Sequence, residues 1–228
     1  MKEAVFFDLF ETLLTEQIPG RLSEEAFSQR LGVDLEKIRT WWKENTFVRM
    51  TGGYSNYQSA LQALCQSVGS MITEAEIISI SREREKWKAQ IFQGISPPIL
   101  DMLKEIRGLG LRVGILSNAL PEELLTWEQC PLRSVVDDAV FSCVVGKMKP
   151  QPEIYHLACA RLGVAPEQSF FIGDGGFDEL QAAAGVGMVP IQAAWYYDRT
   201  MQWNHSNGEL HRAGKVEEIP ALLASLLR

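Results

Sequence analysis

Four polar residues stand directly after three short apolar runs of the 228-residue sequence. Asp8 follows the first run, Ser117 and Asn118 follow a second, and Asp174 follows a third. A carboxylate can act as a nucleophile or a metal ligand, and hydroxyl and amide groups can bind anionic oxygens. An aspartate after a strand is more often a turn former or a helix cap, so each residue alone is a weak signal. Together, and in this order, they indicate one functional site.

These apolar runs are predicted to be strands of one parallel sheet. They are short and β-rich, and most precede a helical pattern of about ten residues. The predicted strands cover residues 4–7, 111–116, 139–144, 170–172 and 188–191. The predicted helices between and after them include 99–108, one opening at Pro121, 152–162, one ending at Ala184, and 219–227. Such alternation is typical of a doubly wound, Rossmann-like α/β fold, which binds ligands beyond the carboxyl ends of its strands.

The stretch between the first strand and the rest of the sheet has a helical pattern. Tyr57, Leu61, Leu64 and Val68 repeat at helical spacing, and residues 20–92 offer about four helices and no convincing strand. The sequence therefore predicts an α/β core domain made of residues 1–15 and 95–228, with a small all-helical cap domain at 16–94. Glycine and proline near both junctions predict hinges that close the cap over the crevice.

Composition excludes several classes of function. Lys and Arg number 22 against 29 Asp and Glu, so the net charge of −7 opposes non-specific binding to nucleic acid. The chain lacks an apolar run of 18 residues, which argues against a membrane span. The four cysteines form no CxxC pair, and His156, His205 and His211 form no metal-binding pattern. We expect a cytoplasmic protein with a small-molecule partner, and its oligomeric state is not readable.

Four motifs of the chain, in this order, resemble those of the haloacid dehalogenase-like hydrolase superfamily. The likeness covers nearly the whole chain and includes a helical cap inserted after the first motif. The motifs are Asp8-Leu9-Phe10-Glu11-Thr12-Leu13, the strand 113–116 with Ser117-Asn118, Lys149-Pro150 continuing to Tyr155, and Gly173-Asp174 followed by Asp178 and Glu179. The resemblance implies a hydrolase with a Rossmann-like core.

The same resemblance implies a role for each acidic and basic residue. Asp8 would be the nucleophile that attacks phosphorus and forms an aspartyl-phosphate. Mg²⁺ would be held by the Asp8 carboxylate, the backbone carbonyl of Phe10 and Asp174, all of them hard oxygen ligands. Lys149 would place a fixed positive charge on the phosphoryl oxygens and on Asp8. A second acid would be either Asp178 or Glu179, and the helix register favours Glu179.

Three further residues would bind or brace the reacting group. The resemblance implies that Ser117 is catalytic, with its hydroxyl donating a hydrogen bond to a phosphoryl oxygen. Asn118 and Thr12 would lie on the substrate side of the site, with Thr12 chiefly bracing the nucleophile loop. The resulting expectation is a Mg²⁺-dependent phosphatase for a small phosphorylated metabolite.

Phe10 departs from the pattern of the phosphatases in this superfamily. They usually carry a second aspartate there, which protonates the leaving oxygen and then activates water. A phenylalanine transfers no proton, and losing a positioned acid–base costs about 10²–10⁴-fold where that group is used. A phosphatase for good leaving groups would tolerate this loss, because such groups need less protonation. Glu11, adjacent in sequence, is a poor substitute for the missing acid.

A different reaction on the same scaffold would also dispense with this acid. The resemblance allows a 2-haloacid dehalogenase-like enzyme, because those enzymes carry an aromatic residue at this position and match Lys149 and Tyr155, although Asp174 fits a metal-using relative better. A phosphonoacetaldehyde hydrolase-like enzyme would need a cap lysine, for which Lys43 is the formal candidate. A catalytically weak pseudo-hydrolase that only binds a ligand is the last alternative, and the intact Asp8, Lys149 and Asp174 argue against it.

Overall fold

A parallel sheet forms the centre of the molecule in a computed structural model that describes residues 2–197, 199 and 210–228. Its strands are β1 (Ala4–Phe7), β2 (Arg112–Ser117), β3 (Asp138–Phe141), β4 (Ser169–Gly173), β5 (Val189–Ala193) and β6 (His211–Ala213). They pair in the order β3-β2-β1-β4-β5-β6, and every pairing is parallel. The chain winds outward from β1 in both directions, so the predicted doubly wound α/β core is confirmed.

Helices cover both faces of this sheet. One face packs against α6 (Pro97–Gly108) and α10 (Ile219–Leu226), and the other against α8 (Pro152–Leu162) and α9 (Glu179–Gly185). Successive side chains of a strand point to opposite faces. Val5 and Phe7 accordingly belong to the first apolar cluster, whereas Ala4 and Phe6 belong to the second. This double burial explains why the first strand reads as an uninterrupted apolar run.

The stretch of residues 16–94, between β1 and α6, is helical wherever it is regular. It contains α1 (Glu24–Leu31), α2 (Leu35–Glu44), α3 (Thr46–Met50), α4 (Tyr57–Val68) and α5 (Glu74–Gln93). The helices share a separate apolar cluster built on residues such as Leu31, Ile38, Trp41, Leu61 and Ile77. The short α3 raises the number of helices there to five, where the pattern indicated about four. We refer to residues 16–94 as the cap segment.

Two predicted elements need correction. The third strand ends at Phe141 instead of 144, and Ser142–Val145 forms the short helix α7. The Ser142 hydroxyl explains this end, because it bonds both the N–H and the carbonyl of Ala119 and draws the chain out of the sheet. Pro121 opens only a 3₁₀ turn, Pro121–Glu123, in which the Glu123 carboxylate accepts the Leu120 N–H.

The sequence pattern did not predict strand β6, because its three residues include the polar pair His211 and Arg212. A strand this short at the edge of a sheet carries almost no alternating pattern that could reveal it. His211 therefore belongs to the sheet, where it pairs with Ile191 of β5.

Two of the places where the cap segment touches the core involve α5 and α3. Helix α5 contacts the 3₁₀ turn at Pro121–Glu123, and α3 contacts α7. At the second place a Cβ built on Gly52 would collide with the Cys143 carbonyl oxygen, so only glycine allows this approach. Among the described residues, none of the helices combines the length and the apolar character needed to cross a membrane.

Candidate active site

Three neighbouring strands bring the sequence-predicted site residues together. Strand β1 lies between β2 and β4, with Phe7 opposite both Ile115 and Ile172. The N–H of Asp8 still continues the ladder, donating to the Ile172 carbonyl at 2.8 Å. The chain reverses its winding direction at the β1–β4 boundary, which is where open α/β sheets bind their ligands.

Lys149 is the central cation of the site. Its ammonium donates to the Asp8 carboxylate, Nζ to Oδ1, at 2.5 Å, and it also forms an ion pair with Glu179. All three side chains are buried. A buried lysine between two carboxylates is held in one position, so it can present a fixed positive charge to a ligand beside Asp8.

A third carboxylate, Asp174, completes an acidic cluster. Asp8, Asp174 and Glu179 each offer a carboxylate oxygen, and these oxygens lie within 4.8 Å of one another. The N–H of Gly176 donates to Asp174 Oδ1 at 2.9 Å, and Arg199 Nη2 lies 3.1 Å from Oδ2. Oxygen donors in such a group fit the coordination preference of Mg²⁺. The residues present therefore suit the cation that the sequence predicts.

Burial and mutual repulsion shift the proton affinities of these groups. Burial raises the pKa of Asp8, and the nearby Lys149 offsets only part of that effect. Burial likewise raises the pKa of Glu179 to about 8, against the opposing charge of Lys149 and with help from Asp8. Burial alone would lower the pKa of Lys149, but Asp8 and Glu179 outweigh it and raise that pKa. For Asp8 and Glu179, the effect of burial on the pKa is therefore larger than the opposing effect of Lys149.

Of the two candidates for the second acid, the structure brings Glu179 to the site and not Asp178. Asp178 is exposed, whereas Glu179 is buried and its Oε1 accepts the Gly175 N–H at 3.1 Å. A Cβ on Gly173 would collide with that Oε1, so glycine at the end of β4 makes room for the carboxylate. Phe177 and Asp178 have positive φ angles, and this turn directs Glu179 inward.

Asn118 positions Lys149. Its side-chain amide donates to the Lys149 carbonyl at 2.9 Å, and its amide oxygen accepts the Lys149 N–H at 2.7 Å. Ser117 is fully buried at the end of β2, and its hydroxyl makes a long 3.4 Å contact with the Asn118 carbonyl. Asn118 is therefore engaged with the backbone of Lys149, and Ser117 lies directly before it at the strand end.

Thr12 braces the loop that follows Asp8. Its hydroxyl lies 3.5 Å from Asp8 Oδ2, too long for a strong hydrogen bond. Its carbonyl accepts the indole N–H of Trp195 at 2.8 Å, which ties the loop after Asp8 to the segment after β5. The loop is thus held in place from both sides.

The Phe10 side chain is partly buried and packs against the apolar core. Its ring packs edge-on against Phe92 of α5, with centroids 6.3 Å apart. Glu11 has a positive φ of 55°, and its carboxylate accepts hydrogen bonds from Thr15, Gln17 and the Glu16 N–H. Glu11 is therefore engaged away from Asp8, which agrees with its dismissal as a substitute acid.

Sequence reasoning missed two basic residues near the site. Arg199 approaches Asp174, and Lys88 of α5 lies with its ammonium 5.0 Å from the Phe10 ring centroid. Lys43, the formal cap lysine of the sequence, is exposed on α2. Lys88 occupies a buried position that the spacing of Trp87 and Ile91 could have revealed. His156 is not among the residues of the acidic cluster, and His205 lies outside the described residues.

Comparison with known proteins establishes the family. A family model described as haloacid dehalogenase-like hydrolase matches residues 2–187, so the chain belongs to this family of hydrolases. The chain is 24% identical over 203 residues to "Glyceraldehyde 3-phosphate phosphatase" of Methanopyrus kandleri, with 84% of each chain covered. It is 27% identical over 201 residues to "(S)-2-haloacid dehalogenase" of Pseudomonas fluorescens, with 81% of each covered.

Solved structures agree with the fold. A "HAD phosphatase from Thermococcus onnurineus" superposes with a TM-score of 0.65 over 97% of both chains at 20% identity. At that identity the likeness concerns the fold alone. Relatives of the chain thus include both phosphatases and a dehalogenase, and the chemistry of the site must distinguish between them.

Proposed function

We propose that this hydrolase is a Mg²⁺-dependent phosphatase that acts on a small phosphorylated metabolite through an aspartyl-phosphate on Asp8. The observation that carries the proposal is the group of three buried carboxylates, Asp8, Asp174 and Glu179, around one lysine. Burying like charges is costly unless a cation compensates them. A reaction that needs no metal gains nothing from the third carboxylate.

Asp8, Asp174 and the Phe10 carbonyl would hold Mg²⁺, with Glu179 supporting the cluster through Lys149. When bound, the cation neutralises the repulsion between the phosphoryl group and the Asp8 carboxylate. This donor set contains oxygen atoms only, as Mg²⁺ requires. Burial is the main cause of the raised pKa values of Asp8 and Glu179, and a bound cation would favour the ionised form of both carboxylates.

The chain's own residues then divide the work. The ionised Asp8 oxygen attacks phosphorus, the ester P–O bond breaks, and the leaving oxygen takes the electron pair. Lys149, locked by Asn118 and Glu179, stabilises the charge on the phosphoryl oxygens. Water then attacks the acyl phosphate, which releases inorganic phosphate and restores the Asp8 carboxylate. Ser117 completes the proposed anion contacts.

A dehalogenase-like reaction is the second candidate, because Phe10 is aromatic and a halide leaves without a proton. A 2-haloacid dehalogenase is also among the relatives. Asp8 would then attack carbon and displace halide, with no need for a cation. Asp174 and its neighbours are the observation against this reading.

A paired screen tests the proposal. Small phosphate esters and 2-haloacids are offered to the protein with Mg²⁺ and, separately, with EDTA. We expect phosphate release that requires Mg²⁺, and weaker metal binding by Asp174→Ala with the fold preserved. Halide release that is undiminished in EDTA would overturn the proposal in favour of dehalogenation. If a phosphate mimic binds at Asp8 but no ester is hydrolysed, the result would instead support a pseudo-hydrolase that only binds its ligand.

A further inference from the structure

A cavity of about 430 Å³ lies inside the cap segment. Its lining residues run from Gly20 to Trp87 and come from the entry loop and from α1–α5, so none belongs to the sheet that carries Asp8. This volume is within the usual range for small-molecule sites, about 300–1,000 Å³. The cavity is thus a second concave site, separate from the acidic cluster.

A stack of four side chains forms one wall of this cavity. The Arg49 guanidinium lies 4.0 Å from the centre of the Trp42 ring, and Trp42 stacks on Tyr57 with centroids 6.2 Å apart and planes 17° apart. The Arg84 guanidinium lies 4.6 Å from the Tyr57 ring. Alternating guanidinium and aromatic groups hold each other in place. Two positive charges are therefore fixed in position beside the cavity.

The acidic residues of the lining are already engaged. Glu24 pairs with Arg39 at 2.5 Å, and Glu83 pairs with Arg30 at 2.6 Å. Arg39 has a second partner in Glu36. Both lining carboxylates, Glu24 and Glu83, therefore pair with arginines outside the stack.

The two stacked arginines differ in one respect. Arg84 reaches the core and pairs with Glu122 at 2.9 Å. Arg49 has no carboxylate at ion-pair distance and no hydrogen bond within residues 2–197, 199 and 210–228; its contact there is the Trp42 ring. Burial and the nearby Arg84 charge lower the pKa of Arg49, and the more distant carboxylates of Glu122 and Glu123 offset only part of that effect. The planar Arg49 guanidinium presents N–H donors whose geometry matches the oxygens of a carboxylate or phosphate group.

We infer that the cap cavity binds an anionic small molecule, and that Arg49 is the partner of its carboxylate or phosphate group. The guanidinium is already fixed, so it can donate hydrogen bonds to two anionic oxygens side by side without reorganising. Trp42, Phe27 and Trp87 give the cavity an apolar surface for the rest of the molecule. The anion can be the far end of the substrate or a separate ligand, and both share this chemistry.

A binding titration tests the site without relying on turnover. Inorganic phosphate and succinate are titrated into the metal-free protein in EDTA, and tryptophan fluorescence reports on Trp42 and Trp87 in the cavity wall. We expect saturable binding that Arg49→Met weakens by at least about tenfold, the loss of a charge-assisted hydrogen bond. Arg49→Lys should bind with intermediate affinity. Arg82→Met is the matched control, because Arg82 is exposed on α5 and does not line the cavity.

Kinetics then identify the source of the anion. If it belongs to the substrate, Arg49→Met raises KM for para-carboxyphenyl phosphate and leaves KM for phenyl phosphate unchanged. If it is a separate ligand, both KM values stay unchanged while the titration still shows lost binding. This step rests on the proposed phosphatase activity, whereas the titration does not, so failure of one is distinguishable from failure of the other.

Either of two results would overturn the inference. One is a wild-type protein that shows no saturable response to either anion up to about 10 mM, well above a millimolar Kd. The other is an Arg49→Met protein that binds both anions as the wild type does. Thermal unfolding of each variant verifies that it is folded, and Arg49→Lys supplies the comparison should Arg49→Met unfold.

Discussion

Lys149 and Lys88 are both buried, and each pairs with two carboxylates. Lys149 lies between Asp8 and Glu179 within the core, and Lys88 lies between Glu16 and Glu123 where the cap segment meets the core. Both lysine side chains are only 2% exposed. The two clusters share this pairing of one lysine with two carboxylates, yet the pKa of Glu179 is raised whereas that of Glu123 is lowered.

The neighbour of each cluster makes the difference. Beside Lys149 stands another carboxylate, Asp174, and burial raises the pKa of Glu179 to about 8. Beside Lys88 stands a second cation, Arg84, and Lys88 and Arg84 together overcome burial and lower the pKa of Glu123. Under the proposed function the Lys149 cluster takes up a cation, although Arg199 already lies 3.1 Å from Asp174. The Lys88 cluster joins the cap segment to the core.

Replacing one carboxylate in each cluster should give the largest difference between the clusters, in turnover for one and in stability for the other. We expect Asp8→Asn to lower turnover by at least about 10³-fold with the fold intact, as loss of a nucleophile does in other enzymes. Glu123→Gln should keep most of the turnover and lower stability instead. Phosphate release and urea unfolding measure the two effects. An Asp8→Asn protein with more than about a tenth of wild-type activity would contradict the covalent mechanism.

Removing Lys88 should reveal its structural role. Lys88→Met leaves Glu16 and Glu123 without their shared cation, and we expect the free energy of unfolding to fall by about 3–5 kcal/mol. Lys86→Met is the matched control, since Lys86 is exposed on the same helix and should change stability by less than about 0.5 kcal/mol. Equal urea midpoints for the two variants would show that the buried pair contributes nothing.

Lys88 also bears on the missing acid at Phe10. With no proton donor there, rates on aryl phosphates should rise steeply as the pKa of the leaving phenol falls. Phe10→Asp should flatten this slope only partly, because Lys88 near the ring position would favour the ionised carboxylate. Adding Lys88→Met should flatten it further, with a gain of about 10²-fold on poor leaving groups at most. A flat series in the wild type would show that another residue already donates the proton.

The smallest expected effect is a pH dependence of stability. The lowered pKa of Glu123 means that its contribution is complete above the ordinary glutamate pKa. That contribution is lost as the pH falls through the lower pKa of the folded state. We expect the unfolding free energy of the wild type to fall more steeply below pH 4.5 than that of Glu123→Gln. Parallel curves would show that Lys88 and Arg84 do not stabilise the ionised form.

The sequence predicted site residues correctly where a reactive side chain stands next to a recognisable strand end or turn. Asp8, Asp174 and Lys149 stand beside strand ends or a proline turn, and the parallel sheet then dictates that they meet. Lys88 was missed because it lies in the charged stretch Arg82–Lys88, which looks solvated throughout. Only its place on the apolar stripe, between Trp87 and Ile91, hinted at burial. The helix register favoured Glu179 over Asp178, but the positive φ angles of Phe177 and Asp178 that turn Glu179 inward follow from no local pattern of the residues.

The long separation between β1 and its two neighbours has a consequence for biosynthesis. Ala4 pairs with Arg112 and with Ser169, so the strand that carries Asp8 lacks its second neighbour until at least 165 further residues have been made. At about 5–20 residues per second, a ribosome needs roughly 8 to 33 seconds for that stretch. The cap helices, whose contacts are local, can form in the meantime. During synthesis, the apolar strand Ala4–Phe7 therefore waits longer for its second neighbour than for its first.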